Sequence, residues 1–297
     1  MGKKRARENA ANAAAEKTID DDRMDEDAED SDGGDDTLNF DTVDVEFEWF
    51  NFAPDIDFHG TKSLLRQLFD VDASLFDTSA LADLILSQPT IGSAVKVEGE
   101  ENDPFSILTV LNTHEHRANE SLKKLMAYLA DKARTNDALS AVDEVIKGGG
   151  QVGLVLSERL INVPSEISAP MYSMLIDEME AAVEDKEPYE FSHYLIMSRA
   201  FHEVESTHDA DKRKPKKARG ERVTQYFHPE DEIFHKHALA HGNFVYTKEG
   251  DVASDSKRAF QEVGIQTIGH MLLVEGSKFE GAVKEINAVF RPQQGLQ

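Results

Sequence analysis

Histidine supplies the most concentrated chemistry in the sequence. His228, His235, His237 and His241 fall within 14 residues, and His114 and His116 stand two apart. Residues 237 and 241 would share a helix face, a spacing that suits a metal pair. There is no His-Glu-x-x-His and no cysteine, so the expectation is ordinary surface and core histidines with no metal site. Gly148-Gly149-Gly150-Gln151-Val152-Gly153 offers a second possibility, a phosphate loop. It lacks the Gly-Lys-Ser/Thr ending of a P-loop and runs from helix into strand, the wrong polarity for a helix N-terminus. A helix C-cap followed by a turn explains it better. Ser157-Glu158-Arg159 has no Gly-x-Ser-x-Gly frame, so a hydrolase elbow is not supported.

Charge is the next candidate for function. The 297 residues carry a net −25. The first 36 residues hold 13 Asp or Glu against 6 Lys or Arg, so the remaining 261 carry −18 by themselves. Such a body repels phosphate backbones, so no direct nucleic-acid binding is expected and basic partners are favoured. Asp20 to Asp36 packs 11 carboxylates into 17 residues. A block of that composition cannot bury enough apolar area to offset its ordering entropy, and it predicts a disordered tail over 1–37. Asp20, Asp21, Asp22, Asp25, Glu26, Asp27, Glu29 and Asp30 are its candidate client-binding residues, through many weak, salt-sensitive contacts. Ser31, bracketed by acids, is a candidate phosphorylation site. Lys3, Lys4, Arg5 and Arg7 form a basic cluster that reads as a nuclear-localisation signal. So does the loop 205–222, where Lys212, Arg213, Lys214, Lys216, Lys217 and Arg219 crowd together. An RNA contact or pairing with the acidic tail are alternatives, but the composition resembles an import signal more than an RNA-binding surface, because no aromatic residues interleave with the charges for base stacking. The absence of cysteine excludes disulfides, iron–sulfur clusters and a thiol nucleophile. No apolar run approaches 18 residues and no signal-peptide core is present, so no membrane association is expected.

The elements that would position these groups begin at Val43. Val43, Val45, Phe47 and Trp49 alternate with acids, the period of a half-buried strand. Pro54 ends it, and Asp55 or Asp57 can cap a helix with Thr61, Leu64, Leu65, Leu68 and Phe69 on one face. A second helix over Thr78–Ser87 carries Leu81, Leu84 and Ile85. Ile91–Val97 and Phe105–Asn112 read as strands, the second so apolar that both faces must be covered. A long helix bears Ala118, Leu122, Leu125, Met126, Leu129 and Ala133, and a shorter one spans Asp137–Ile146. Val152–Leu156 is a strand. Ser165 or Ser168 caps a helix striped by Tyr172, Leu175, Ile176, Met179 and Val183. A strand over Tyr189–Phe201 should place Phe191, His193, Leu195 and Met197 on one face. A helix over Glu230–Ala240, strands over Asn243–Thr247 and Val263–Val274, and a helix started by Ser277 and Glu280 with Phe279, Val283, Ile286 and Val289 inward complete the chain. The reading is one α/β domain over 38–297: a mixed sheet with helices on both faces.

The stretches VDVEFEWFNFAPDIDFHGTKSLLRQLF, DPFSILTVLNTHEH, LVLSERLINVPSEISAPMYSMLIDEMEAAVEDKEPYEFSHYLIMSR and FVYTKEGD together resemble the BCCIP family, from about Asp41 to the C-terminus. The resemblance implies a fold similar to that of the GCN5-related acetyltransferases, and it implies no enzymatic activity and no cofactor. Acetyl-CoA transfer is the alternative such a fold invites. Those enzymes cradle a pyrophosphate on bare amides at a strand-to-helix turn with the pattern Gln/Arg-x-x-Gly-x-Gly/Ala. The corresponding turn here, Asn112-Thr113-His114-Glu115-His116-Arg117, has no glycine and carries a carboxylate. Gln261–Gln266 matches only in part and opens a strand. The family further implies a nuclear protein shuttling to the cytoplasm, a chaperone for a basic large-subunit ribosomal protein in ribosome biogenesis. It also implies a part in nuclear export of cargo such as a lipid kinase, with transport receptors as partners, and links to the cell cycle.

Overall fold

The computed structural model describes residues 45–88, 90–203, 223–249 and 265–290. Their sheet is mixed, with eight strands: β1 (Phe47–Asn51), β2 (Ser93–Val97), β3 (Ser106–Asn112), β4 (Val152–Arg159), β5 (His193–Glu203), β6 (Thr224–Tyr226), β7 (Ala238–Phe244) and β8 (Ile265–Glu275). The main path runs β1-β2-β3-β4-β5-β8-β7, and β6 pairs with β5 beside it. β4 and β5 are parallel; every other pairing is antiparallel.

Helices cover both faces. On one lie α1 (Pro54–Phe69), α2 (Thr78–Leu86), α3 (Glu120–Ala133) and α4 (Ser140–Gly148). Leu65, Leu81, Leu125 and Val142 meet Leu154, Leu156, Leu195 and Met271 there. On the other lie α5 (Ser168–Glu184), α6 (Asp231–His237) and α7 (Gly276–Phe290). Tyr172, Leu175, Phe234 and Phe279 meet Val155, Ile196 and Leu272 there. All seven residues of β3 are buried, as its apolar run demands of a strand covered on both sides. Gly149, with φ of +65°, ends α4 in the left-handed conformation that glycine adopts without steric cost.

Several expectations shift. β1 starts at Phe47, with Val45 exposed ahead of it. Neither Asp55 nor Asp57 caps α1; Ala53 holds the cap position, and Asp57, one turn in, accepts from the Ala53 amide at 2.7 Å. A 3-10 turn over Ser165–Ile167 leads into α5, whose cap is Ile167, so neither Ser165 nor Ser168 caps it. Val183 and Val289 sit at the outer rim of their stripes and are exposed. Phe191 precedes β5 and packs in the opposite layer from Leu195 and Met197. The helix expected over Glu230–Ala240 stops at His237, and the chain turns directly into β7. α7 begins at Gly276, which places Ser277 inside its first turn.

Candidate functional site

In open α/β sheets ligands gather where parallel strands end and their neighbours diverge. Here the β4–β5 ladder stops at Leu156↔Met197, while β4 runs on to Arg159 and β5 to Glu203. The space between them holds an ion network. Arg199 Nε donates to Glu158 Oε2 at 2.8 Å and its Nη2 to Oε1 at 3.2 Å. His228 Nε2 and Gln67 Nε2 reach the same Oε1 at 3.2 and 2.9 Å. Arg159 forks onto Glu230, at 2.6 and 3.1 Å. Ser198 Oγ donates to Asp231 Oδ2 at 2.5 Å. The Arg199 guanidinium sits over the Phe227 ring, 4.4 Å from ring centre to Cζ. All of the charged members are buried.

Burial disfavours each of these charges, and their partners decide the outcome. Burial works against the Glu158 carboxylate, yet Arg199 and His228 hold it well below the usual carboxylate range. Glu230, opposed by burial, is held at about 2 by His228 and Arg159. Burial opposes the His228 imidazolium too, but Glu158 and then Glu230 carry it up to about 9. Asp231 goes the other way: burial pushes it up to about 7. Near neutrality three cations therefore face two full carboxylates and one titrating carboxyl. The cleft above them, walled by Leu160, Ile161, Val163 and Phe227, measures about 210 Å³. That is below the roughly 300 Å³ at which small-molecule sites begin.

The strand-to-helix turn after β3 has its amides committed. Those of His114 and Glu115 donate to Asn112 Oδ1, at 2.9 and 3.1 Å. Those of His116, Arg117 and Asn119 donate to carbonyls of the same turn. Those of Ser121 and Leu122, at the head of α3, donate to Asn119 Oδ1. A pyrophosphate arriving here would find few free donors. The Gly148–Gly150 turn shares a shallow cleft of about 220 Å³ with this turn, Arg117 and Lys123.

The edge at β1 is acidic. Glu46 precedes β1, and Glu98, Glu100, Glu101 and Asp103 sit on the β2–β3 connection; all five are exposed. The base of this region is Lys96, and it is turned inward. Its Nζ lies 2.6 Å from Asp57 Oδ1 with both side chains fully buried, and it donates to the Glu100 carbonyl. None of its charge reaches the surface.

The histidines separate. His228 belongs to the ion network, and His237 contacts Glu285 at 2.9 Å on α7. His241 lies on β7, so no helix face joins it to His237. Instead His235 and His241 stack at 4.0 Å, and both meet His270 of β8. His270 gives no sequence signal, being embedded in an apolar strand. Lys3, Lys4, Arg5, Arg7, the acids from Asp20 to Asp30, Ser31 and the basic residues from Lys212 to Arg219 lie outside the described residues.

Residues 42–234 match the BCCIP family model. The chain belongs to the BCCIP family. It is 58% identical over 289 residues to Protein BCP1 of Gibberella zeae, covering 97% of this chain and 98% of that one. To Protein bcp1 of Schizosaccharomyces pombe it is 40% identical over 260 residues, 84% and 91% of the two chains. The crystal structure of BCP1 from Saccharomyces cerevisiae matches with a TM-score of 0.57 at 26% identity, across 87% of this chain and 93% of that one. None of these names is that of an enzyme.

Proposed function

We propose that this family member is a non-catalytic chaperone and adaptor that holds a cationic client. The observation that carries the reading is the exposed carboxylate edge around β1 with Lys96 buried beneath it, on a body that is net negative without its first 36 residues. The filled β4–β5 divergence and the committed amides after β3 speak against acyl-CoA chemistry. By family resemblance the client is a large-subunit ribosomal protein, whose RNA-binding surface would otherwise stick to RNA or aggregate. An acidic surface neutralises it until RNA competes it away. In this reading the tail acids Asp20 to Asp36 assist electrostatically. The basic clusters at Lys3–Arg7 and Lys212–Arg219 serve import into the nucleus, and export of cargo follows from shuttling.

The test is binding of the full chain to purified basic ribosomal proteins between about 50 and 300 mM salt. Affinity should fall steeply with salt. Replacing Glu98, Glu100, Glu101 and Asp103 together by Lys should weaken binding at least tenfold with folding intact. Salt-independent binding, or full affinity in that variant, would refute the acidic-edge reading. Heat released on titration with acetyl-CoA would favour the acetyltransferase instead.

A further inference from the structure

Three histidines from three different elements converge at the α6–β7–β8 corner. His235 comes from the last turn of α6, His241 from the edge strand β7 and His270 from β8. Their ligating nitrogens all lie within 4.8 Å of one another. His270 is buried, His235 half-buried and His241 exposed, so the group is anchored at its base and open at its rim.

The surroundings orient the base. His270 Nδ1 lies 2.7 Å from Asn243 Oδ1, while Asn243 Nδ2 donates to Thr224 Oγ1 at 3.4 Å. The amide oxygen therefore faces the ring, and Nδ1 carries the proton. Nε2 is left with a lone pair, directed at His235 Nε2 at 2.8 Å. A second hydrogen bond that fixes tautomer and ring direction is how proteins prepare a metal-ligating histidine. Sterically the fit is close. Zinc–nitrogen bonds of about 2.0–2.1 Å set tetrahedral nitrogens roughly 3.3 Å apart. The His235–His270 pair must open by about half an ångström, and the exposed His241 ring must swing inward from its stack on His235.

We propose that His235, His241 and His270 form a three-histidine site for a borderline divalent transition-metal ion such as Zn²⁺, with Asn243 as the positioning residue for His270. Three imidazoles with no thiolate suit Zn²⁺, Ni²⁺ or Cu²⁺ and not Mg²⁺ or Ca²⁺. The fourth position faces solvent beside His241. A bound ion would fasten α6 to the edge strand β7. The proposal stands independently of the client-binding reading.

The experiment strips the full-length protein with a chelator and titrates it with Zn²⁺ against a chromophoric zinc indicator. The expected result is one tight equivalent. His241→Ala, at an exposed position that folding does not need, should weaken binding at least thirtyfold, and His235→Ala likewise. Asn243→Ala should cost tenfold or more, as loss of an orienting partner does. His237→Ala, whose ring contacts Glu285 instead, should bind as the parent does. In ¹⁵N spectra the ring nitrogens of His235, His241 and His270 should shift on adding zinc. Mg²⁺ should compete with none of this. Absence of a stoichiometric site, or parental affinity in His241→Ala and His235→Ala, would overturn the proposal.

Discussion

Glu158 is the residue on which most charge depends. It receives Arg199, His228, Gln67 and the Arg159 amide. Glu158→Gln would strand the buried Arg199 and leave His228 with Glu230 alone, and breaking a buried pair from one side costs about 3–5 kcal/mol. Urea denaturation should show that loss as a lower midpoint with unchanged slope. His228 predicts a pH dependence. Its value is raised in the folded protein to about 9. The native state therefore binds more protons than the unfolded chain, and stability falls as pH rises. Its contribution is complete below about 6.5, the ordinary histidine value, and is lost as pH climbs through 9. Asp231, raised to about 7, adds a loss of the same sign at lower pH. Glu158 and Glu230, both depressed, contribute above the usual carboxylate range and lose their contribution toward pH 2. His228→Gln should flatten the decline between pH 6.5 and 9 measured by denaturation; an unchanged slope would place the titrating proton elsewhere.

At the scale of elements, Asp72 ties together parts distant in sequence. From the 3-10 turn after α1 it accepts the Tyr128 hydroxyl at 2.7 Å and the amides of Thr247 and Lys248 at 2.7 and 2.8 Å. Asp72→Ala should cost about 1–3 kcal/mol, because it takes a shared acceptor from three part-buried donors. Amide exchange at residues 247 and 248 should accelerate ahead of global unfolding. The stripes of α1, α2 and α3 could be read from sequence because Leu64 and Leu68, Leu81 and Leu84, and Leu122, Leu125 and Leu129 recur at helical spacing, and the apolar run of β3 announced a covered strand. The α6–β7 junction could not. Its residues alternate too weakly to stop a helix pattern, and the turn at Ala238 is imposed by pairing with Val274. The ion network left one trace: Glu158, Arg159 and Arg199 interrupt apolar runs that the fold buries on both faces. A charge there is tolerated only when paired, but its partners lie tens of residues away. His270 joins His241 only through the β7–β8 register, which no local pattern encodes.

For the whole molecule, charge outweighs shape. Removing residues 1–36 takes away −7 and leaves −18, so a chain lacking them should still bind a basic client, with a several-fold loss and a shallower salt dependence. Equal salt slopes with and without that segment would show that it takes no part. The order of strands carries a different consequence. β8, close to the C-terminus, is inserted between β5 and β7 and pairs with β5 along all eleven of its residues. While the chain is being translated, the flank of β5 that faces β8 is not fully occupied until residue 275 has left the exit tunnel. A nascent molecule stalled before that point presents a long, apolar strand with one edge unpaired, the surface on which polypeptides coalesce. A protein proposed to shelter others during their assembly thus passes the interval between making β5 and making β8 in need of shelter itself.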